Sequence, residues 1–188
     1  MTRTSAALGS LGWLLHAPGT VCGLVPLLIT GWERPGDQAA WLDVLGWSLV
    51  LTGAAVLGHA FVAFAWHGRG TPAPSAPTEQ LVVEGAYRFV RNPMYLAVFA
   101  LVLGQVLLFA SGGLLAYLVV IGITTDVFVH AYEEPTLREA FGPAYQEFCA
   151  EVPRWLPRRT PWRGASRVRP RGAAAWRRGG PAAPAGPG

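Results

Sequence analysis

Long apolar blocks alternate with short polar joints along this chain. Four blocks are almost free of charge, and they cover residues 11–32, 41–66, 93–110 and 114–131. Each has about the 20 residues, give or take a few, that a helix needs to cross the hydrocarbon core of a bilayer. The Ser-Gly-Gly joint at 111–113 is so short that it allows only an antiparallel helix hairpin. The pattern predicts an all-α, integral membrane bundle of about four transmembrane helices.

The segment after the last block has a different pattern. Within residues 133–156, apolar residues recur at three- and four-residue spacing, as one face of a helix requires: Leu137, Phe141, Tyr145 and Phe148. This predicts a C-terminal cytoplasmic amphipathic helix, lying against the membrane or folded back over the bundle, with Gly142-Pro143 bending or dividing it. Residues 158–188 consist mainly of Arg, Gly, Ala and Pro, which cannot build a core, and are predicted to be a disordered tail.

The second block holds two features that bear on packing and chemistry. Gly53, Gly58 and the alanines between them predict a small-residue face for close helix packing. His59 is an ionisable group within a span, and such a group is a functional candidate by default. A neutral histidine that bonds a neighbouring helix is the alternative interpretation.

Composition and charge agree with a membrane protein and give its orientation. The chain is 52% hydrophobic and only 14% charged, whereas a soluble domain carries about 25% charged residues. The net charge is +4, and the Arg excess lies in the second connection and after Arg154. The positive-inside rule then places both termini and the second connection in the cytoplasm, which predicts an integral protein of a bacterial-type cytoplasmic membrane.

The remaining composition argues against two other classes of protein. Cys22 and Cys149 show neither a disulfide framework nor metal-ligand spacing, so no metal site is predicted. An Arg-rich tail can bind nucleic acid, but one that follows membrane spans is expected to contact anionic lipid headgroups instead. The predicted partners are membrane lipids and a lipophilic or lipid-linked substrate, with no nucleic acid.

Residues 81–95, LVVEGAYRFVRNPMY, carry more polar chemistry than a connector between helices needs. Gly85 permits a tight turn or the close approach of a ligand to the backbone. Asn92 is predicted to cap a helix that begins at Pro93, and the backbone N–H groups at such a start favour an anion. Arg91 can pair with a carboxylate.

Two tyrosines and a glutamate pair complete the candidate site. Tyr87 and Tyr95 can stack on a ring or donate hydrogen bonds, and Glu133-Glu134 can accept bonds from an amine or from ribose hydroxyls. An electropositive and an electronegative cluster on one membrane face suit a zwitterionic cofactor. The alternative is a salt bridge between Arg91 and the glutamate pair, and the spacing alone leaves both open.

Three motifs in order, GAYRFVRNPMY, EEPTLREAFGPAYQEF and VPRWLP, resemble the isoprenylcysteine carboxyl methyltransferase family. The wider group includes membrane phospholipid methyltransferases. The resemblance covers residues 79–157 and implies S-adenosylmethionine as methyl donor, bound at the cytoplasmic membrane surface under the C-terminal segment. It suggests a division into two N-terminal transmembrane helices (1–66), a methyltransferase core (67–157) and the tail (158–188).

The resemblance also implies site residues. Arg91 and Glu134 are the predicted catalytic residues, in orienting roles. The family carries His where this chain has Asn92, and some members carry an Arg for the substrate carboxylate where this chain has Val129 or His130. The implied cofactor contacts are Glu79, Gln80, Leu81, Val82, Tyr87, Asn92, Pro93, Met94, Tyr95 and Glu133.

The leading hypothesis is therefore an S-adenosylmethionine-dependent membrane methyltransferase, with carboxyl O-methylation of isoprenylcysteine-like substrates as the reaction that the resemblance implies. A carboxylate acceptor is already ionised near neutral pH, whereas a thiol or amine needs deprotonation, to which Glu134, His130 or Asp126 can contribute. Two alternatives are an NADPH-dependent sterol-reductase-like membrane enzyme and a non-catalytic membrane scaffold.

Overall fold

The computed structural model describes residues 17–63, 81–164 and 167–168. The regular secondary structure of this part is helical apart from one two-residue antiparallel pairing, in which Leu81 lies opposite Val168. The helices are α1 (Ala17–Thr30), α2 (Ala40–Ala63), α3 (Pro93–Phe109), α4 (Gly112–Phe128), α5 (Glu134–Phe141) and α6 (Pro143–Glu151). The strands are β1 (Leu81–Val82) and β2 (Arg167–Val168).

Two helices of the described chain are long and apolar enough to cross a membrane. They are Ala40–Ala60 and Gly112–Phe141. The second is a 30-residue helix because α4 runs without a break through the π-helical turn Val129–Glu133 into α5. Helices α1 and α3 are apolar but shorter. The four predicted blocks thus correspond to two full-length helices and two shorter ones, and residues 11–16 lie outside the described part.

Helices α2 and α3 pack in close contact through glycines. A Cβ added at Gly104 would lie 2.6 Å from the Gly46 carbonyl oxygen, and one at Gly53 would lie 2.8 Å from the Ala97 carbonyl oxygen. The predicted contact at Gly53 is confirmed. The prediction for Gly58 and the alanines before it is wrong, because Gly58 faces open space and those alanines are exposed. The contact stripe instead runs from Gly46 to Gly53 at seven-residue spacing, which returns to the same helix face.

The amphipathic segment is divided at Gly142, as its Gly-Pro step predicted. Gly142 has a φ of 58°, and Pro143 begins α6 at a position where a missing N–H costs nothing. The single predicted helix is therefore two short ones. Their shared apolar face does not stay unpartnered, since it builds a small core with the chain around β1: Leu81, Val83, Phe141, Tyr145, Phe148, Val152 and Trp162.

Residues 153–162, called the clasp below, lie along the polar stretch that precedes α3. The Arg158 N–H donates to the Phe89 carbonyl at 2.8 Å, and the Trp162 N–H donates to the Arg88 carbonyl at 2.8 Å. The Trp162 side chain is buried in the small core. The structure corrects the predicted start of the disordered tail at Arg158, because backbone bonds and an aromatic anchor order the chain beyond it. Residues 165–166 and 169–188 of that tail lie outside the described part.

Candidate functional site

Two of the predicted cofactor residues are in direct contact at the polar end of the α3–α4 hairpin. Tyr95 lies in the first turn of α3, and Glu133 ends the π-helical turn that follows α4. The Tyr95 hydroxyl donates to Glu133 Oε2 at 2.9 Å, and both residues are half-buried. The pair ties the two helices together and leaves a carboxylate and a phenol partly accessible.

Tyr87 lies beside this pair. It belongs to the 3₁₀ turn Gly85–Arg88 and is buried against Ala60 and Met94. Burial raises the pKa of Tyr87 well above its ordinary value, and the neighbouring Glu133 raises it further. The side chain is therefore a neutral phenol at neutral pH.

His59 approaches the same turn from α2. Gly85 has a φ of 59°, and a Cβ added there would collide with His59 Nε2. Glycine is needed here for two reasons. Its backbone is left-handed, and the histidine ring occupies the space where a side chain would begin. The close approach predicted at Gly85 is thus made by His59, a residue of this chain that is itself exposed.

Glu134, next to Glu133 in sequence, has entirely different surroundings. It is only 4% exposed, and its Oε1 accepts hydrogen bonds of 2.7 Å from both Arg91 Nη1 and Arg154 Nε. Its Oε2 accepts from Arg154 Nη2 at 3.0 Å, and Arg138 Nη2 lies 3.5 Å away. The hydrogen bond to Glu134 raises the pKa of Arg154. The salt bridge considered for Arg91 and the glutamate pair therefore exists, but only with Glu134.

Arg154 is the main site residue that sequence reasoning missed. It lies in the clasp, and its motif, VPRWLP, served only as a family mark. The Asn92 side-chain amide donates to the Arg154 carbonyl at 3.5 Å. Asn92 does occupy the N-cap position of α3, but its side chain makes no cap hydrogen bond there and holds the clasp instead.

Trp155, the next residue of the clasp, lies against both helices of the hairpin. Its Nε1 donates to Asp126 Oδ1 of α4 at 2.9 Å. Its ring centroid lies 6.4 Å from that of Tyr95 and 6.0 Å from that of Phe99, both on α3. His130 Nδ1 is 3.6 Å from the same Asp126 carboxylate. The clasp thus brings an indole to the Tyr95–Glu133 pair.

The other predicted cofactor residues within the described chain make backbone pairings or packing contacts. Pro93 is the first residue of α3 and is buried, and Met94 packs against Tyr87. Leu81 is buried in the small core, and both Leu81 and Val82 pair with β2 through their backbones. Two predicted residues lie outside the described part of the chain: Glu79 and Gln80.

The two departures from the family pattern also have defined surroundings. Val129 is 1% exposed, whereas His130 is exposed and lies within 3.0 Å of Arg154 Nη1 through its ring nitrogens. Within residues 17–63, 81–164 and 167–168, no group of three or more His, Cys, Asp or Glu side chains is arranged to hold a metal ion.

A family model for phospholipid methyltransferase matches residues 41–144, which is more than half of the 188 residues. The chain belongs to the phospholipid methyltransferase family. No curated protein and no solved structure matches the chain. The matched range contains Tyr95, Arg91 and both glutamates, whereas the clasp lies beyond it. Membership of this family, together with the two long apolar helices, supports a membrane methyltransferase and favours neither the reductase nor the scaffold.

Proposed function

We propose that this protein transfers a methyl group from S-adenosylmethionine to a lipophilic acceptor at the membrane surface. The observation that carries the proposal is the contact between Tyr95 and Glu133, with Tyr87 beside it. It lies at the polar end of the α3–α4 hairpin and within the residues matched by the family. The contact joins residues that are 38 positions apart, so it depends on the hairpin.

The chemistry of these side chains fits the proposed cofactor. S-adenosylmethionine carries a sulfonium, an amine, a carboxylate and ribose hydroxyls. The Glu133 carboxylate can accept hydrogen bonds from the amine or the ribose, and the face of Tyr95 favours a cation. The backbone N–H groups at the start of α3 favour the carboxylate. A zwitterion therefore finds a partner for each of its charges around one helix start.

In this proposal the protein acts chiefly by positioning the methyl donor and the acceptor relative to each other. S-adenosylmethionine, when bound, supplies an electrophilic methyl group on its sulfonium. Displacement at that carbon needs an in-line acceptor, so the rate depends on how well the reactants are oriented. Glu133 and Tyr95 hold the donor, and the clasp covers this end of the hairpin. Arg91 and Glu134, predicted as catalytic, hold each other and the clasp, so we assign them positioning roles.

The acceptor class is constrained by the same contacts. The guanidiniums of Arg91, Arg138 and Arg154 are all engaged with Glu134, so a carboxylate acceptor would compete with that glutamate. An amine or thiol acceptor would instead lose a proton. Asp126 and His130, 3.6 Å apart beside the clasp, can receive it. Carboxyl O-methylation of an isoprenylcysteine-like acceptor thus rests on the resemblance, and amine or thiol methylation rests on these two side chains.

We further propose that α1 to α4 form four spans and that the site faces the cytoplasm. At the opposite end of the bundle, Arg34 is neutralised by a salt bridge to Asp43. The site end carries most of the described arginines, and the positive-inside rule, which counts basic residues, assigns such an end to the cytoplasm; four spans would place both ends of the chain there. The described arginines at the site end are Arg88, Arg91, Arg138, Arg154, Arg158, Arg159 and Arg163.

Ligand binding to the purified protein in detergent tests the proposal. We expect calorimetry to show saturable binding of S-adenosylmethionine and none of NADPH. Glu133→Gln should weaken binding about 10- to 100-fold, because a hydrogen bond to a charged group contributes about 1.5–3 kcal/mol. Glu139→Gln, an exposed neutralisation on α5, is the matched control and should bind like wild type. Binding of NADPH alone would support the reductase, and binding of neither by folded protein would support the scaffold.

A further inference from the structure

The position of Trp155 relative to the bilayer differs from that of the Tyr95–Glu133 pair. Phe99, which the indole contacts, lies one helical turn beyond Tyr95 along α3, away from the polar end. Asp126, which accepts the indole N–H, lies two turns before Glu133, or about 10 Å along the helix. Trp155 therefore contacts both α3 and α4 on the membrane side of the proposed cofactor contact.

The bond between Trp155 and Asp126 is a specific feature of this position. Asp126 lies within an apolar helix, where an ionisable side chain is costly unless a partner satisfies it. Trp155 supplies one partner at 2.9 Å, and His130 Nδ1 lies 3.6 Å from the same carboxylate oxygen. A phenylalanine could pack at the same place but would leave Asp126 without this hydrogen-bond donor. The pairing thus holds the indole in one orientation between the two helices.

The clasp anchors this indole from its other side. Arg154, one residue earlier, makes two hydrogen bonds to buried Glu134, and the Arg91 N–H donates to the Pro153 carbonyl at 3.0 Å. The indole is therefore fixed by α3, by α4 and by its own backbone. It remains half-buried, so one part of it is still accessible beside the cofactor contact.

We propose that Trp155 is a specificity-determining residue that forms the membrane-side wall of the acceptor position, with Asp126 holding it in place. The inference rests on the proposed function, because it presumes an acceptor that comes from the lipid phase to a methyl donor at Tyr95 and Glu133. An acceptor reaching that donor between α3 and α4 must lie against the indole. The width of the acceptor that fits is then set by this side chain.

The first test compares acceptors of different width. The probes are an alkylamine, an alkanethiol and a fatty acid, each in a linear and a methyl-branched form, presented in phosphatidylcholine nanodiscs with radiolabelled S-adenosylmethionine. For whichever head group is methylated, Trp155→Ala should change the ratio of kcat/KM between the linear and branched forms roughly tenfold or more. The affinity of Trp155→Ala for S-adenosylmethionine should stay within about twofold of the wild-type value. A larger change would mean that the substitution also altered the donor site.

Conservative variants separate this role from simple packing. Trp155→Phe keeps an aromatic wall but no N–H, so it should retain part of the discrimination, and its melting temperature should fall because Asp126 loses its hydrogen-bond donor. Asp126→Asn keeps an oxygen that can accept the indole bond and should keep the wild-type ratio between linear and branched acceptors, even where loss of the carboxylate lowers the rate. Asp126→Leu cannot accept it and should resemble Trp155→Phe. This ordering is not expected if the residues only stabilise the fold.

A second readout does not depend on catalysis. In nanodiscs that contain phosphatidylcholine brominated near its headgroup, wild-type protein should show a quenched component of tryptophan emission that Trp155→Phe removes. An unchanged acceptor ratio in folded Trp155→Ala that still binds S-adenosylmethionine would overturn the inference while leaving the proposed function intact. Loss of cofactor affinity in that variant would also overturn it, by assigning Trp155 to the donor site. Failure of the wild type to bind the cofactor would overturn both.

Discussion

Replacing Glu134 by glutamine should destabilise this protein far more than the same replacement at a surface ion pair. The Glu134 side chain is 6% exposed, and the two guanidiniums that contact it at 2.7 Å, those of Arg91 and Arg154, are 13% and 20% exposed. Removing one member of such a pair leaves buried charge without compensation, which costs about 3–5 kcal/mol. An amide oxygen can still accept one of the bonds, so we expect a loss at the lower end, about 3 kcal/mol.

The matched control is Glu151→Gln. Glu151 and Arg158 are 3.5 Å apart and 59% and 26% exposed, and pairs of that kind contribute about 0–1 kcal/mol. Both variants remove one negative charge from the same end of the molecule, so they have the same effect on net charge. The free energy of unfolding can be measured in mixed micelles, with sodium dodecyl sulfate as denaturant and far-ultraviolet circular dichroism as the signal.

The neighbouring Glu133 provides a second comparison for Glu134→Gln. Glu133→Gln should cost only about 1 kcal/mol of stability, because glutamine can still accept the Tyr95 hydroxyl bond, yet it should weaken S-adenosylmethionine binding. Glu134→Gln should instead lower the free energy of unfolding and, at temperatures where the variant stays folded, leave the affinity for S-adenosylmethionine unchanged. If Glu134→Gln destabilises no more than Glu151→Gln, the buried ion cluster does not hold the clasp, and the positioning role assigned to Glu134 fails.

Three further substitutions test contacts elsewhere. Gly104→Ala should cost about 1–3 kcal/mol in the same unfolding assay, because its Cβ would lie 2.6 Å from the Gly46 carbonyl oxygen. Gly122→Ala meets no atom within 4 Å and should be neutral or stabilising, and equal costs for the two would contradict the close helix contact. Tyr95→Phe should weaken S-adenosylmethionine binding about tenfold in calorimetry, and unchanged affinity would remove the phenol from the site. Asn92→Ala should cost at most about 1 kcal/mol of stability, since its bond is 3.5 Å long, and a larger loss would indicate a stronger contact.

The features that sequence predicted well are local ones. The turn of the α3–α4 hairpin follows from its own residues, since the joint is short and the Ser111 side chain caps α4 by accepting the Leu114 N–H. The break at Gly142 likewise follows from a Gly-Pro step. Apolar periodicity and helix ends depend on neighbours a few residues away, so they can be read along the chain.

The clasp could not be predicted from local sequence patterns. Residues 153–162 have too few apolar positions to show a period, and their composition merges with the Arg-rich tail. Their order comes from backbone bonds to residues 62, 69 and 74 positions earlier, and from Trp162 in a core built by β1, α5 and α6. Contacts over that separation leave no local pattern, so neither the clasp nor the roles of Arg154 and Trp155 could be predicted from composition.

The glutamate pair shows the same difference between local sequence and tertiary structure for two adjacent side chains. The sequence by itself determined that two carboxylates end an apolar helix opposite a polar stretch with tyrosines and arginines, and that this chemistry resembles a methyltransferase site. Only the tertiary structure decided that Glu133 contacts Tyr95 while Glu134 is buried among arginines. Consecutive residues on a helix point roughly 100° apart, so two adjacent glutamates face different neighbours, and the packing of α3 and the clasp decides which neighbours those are.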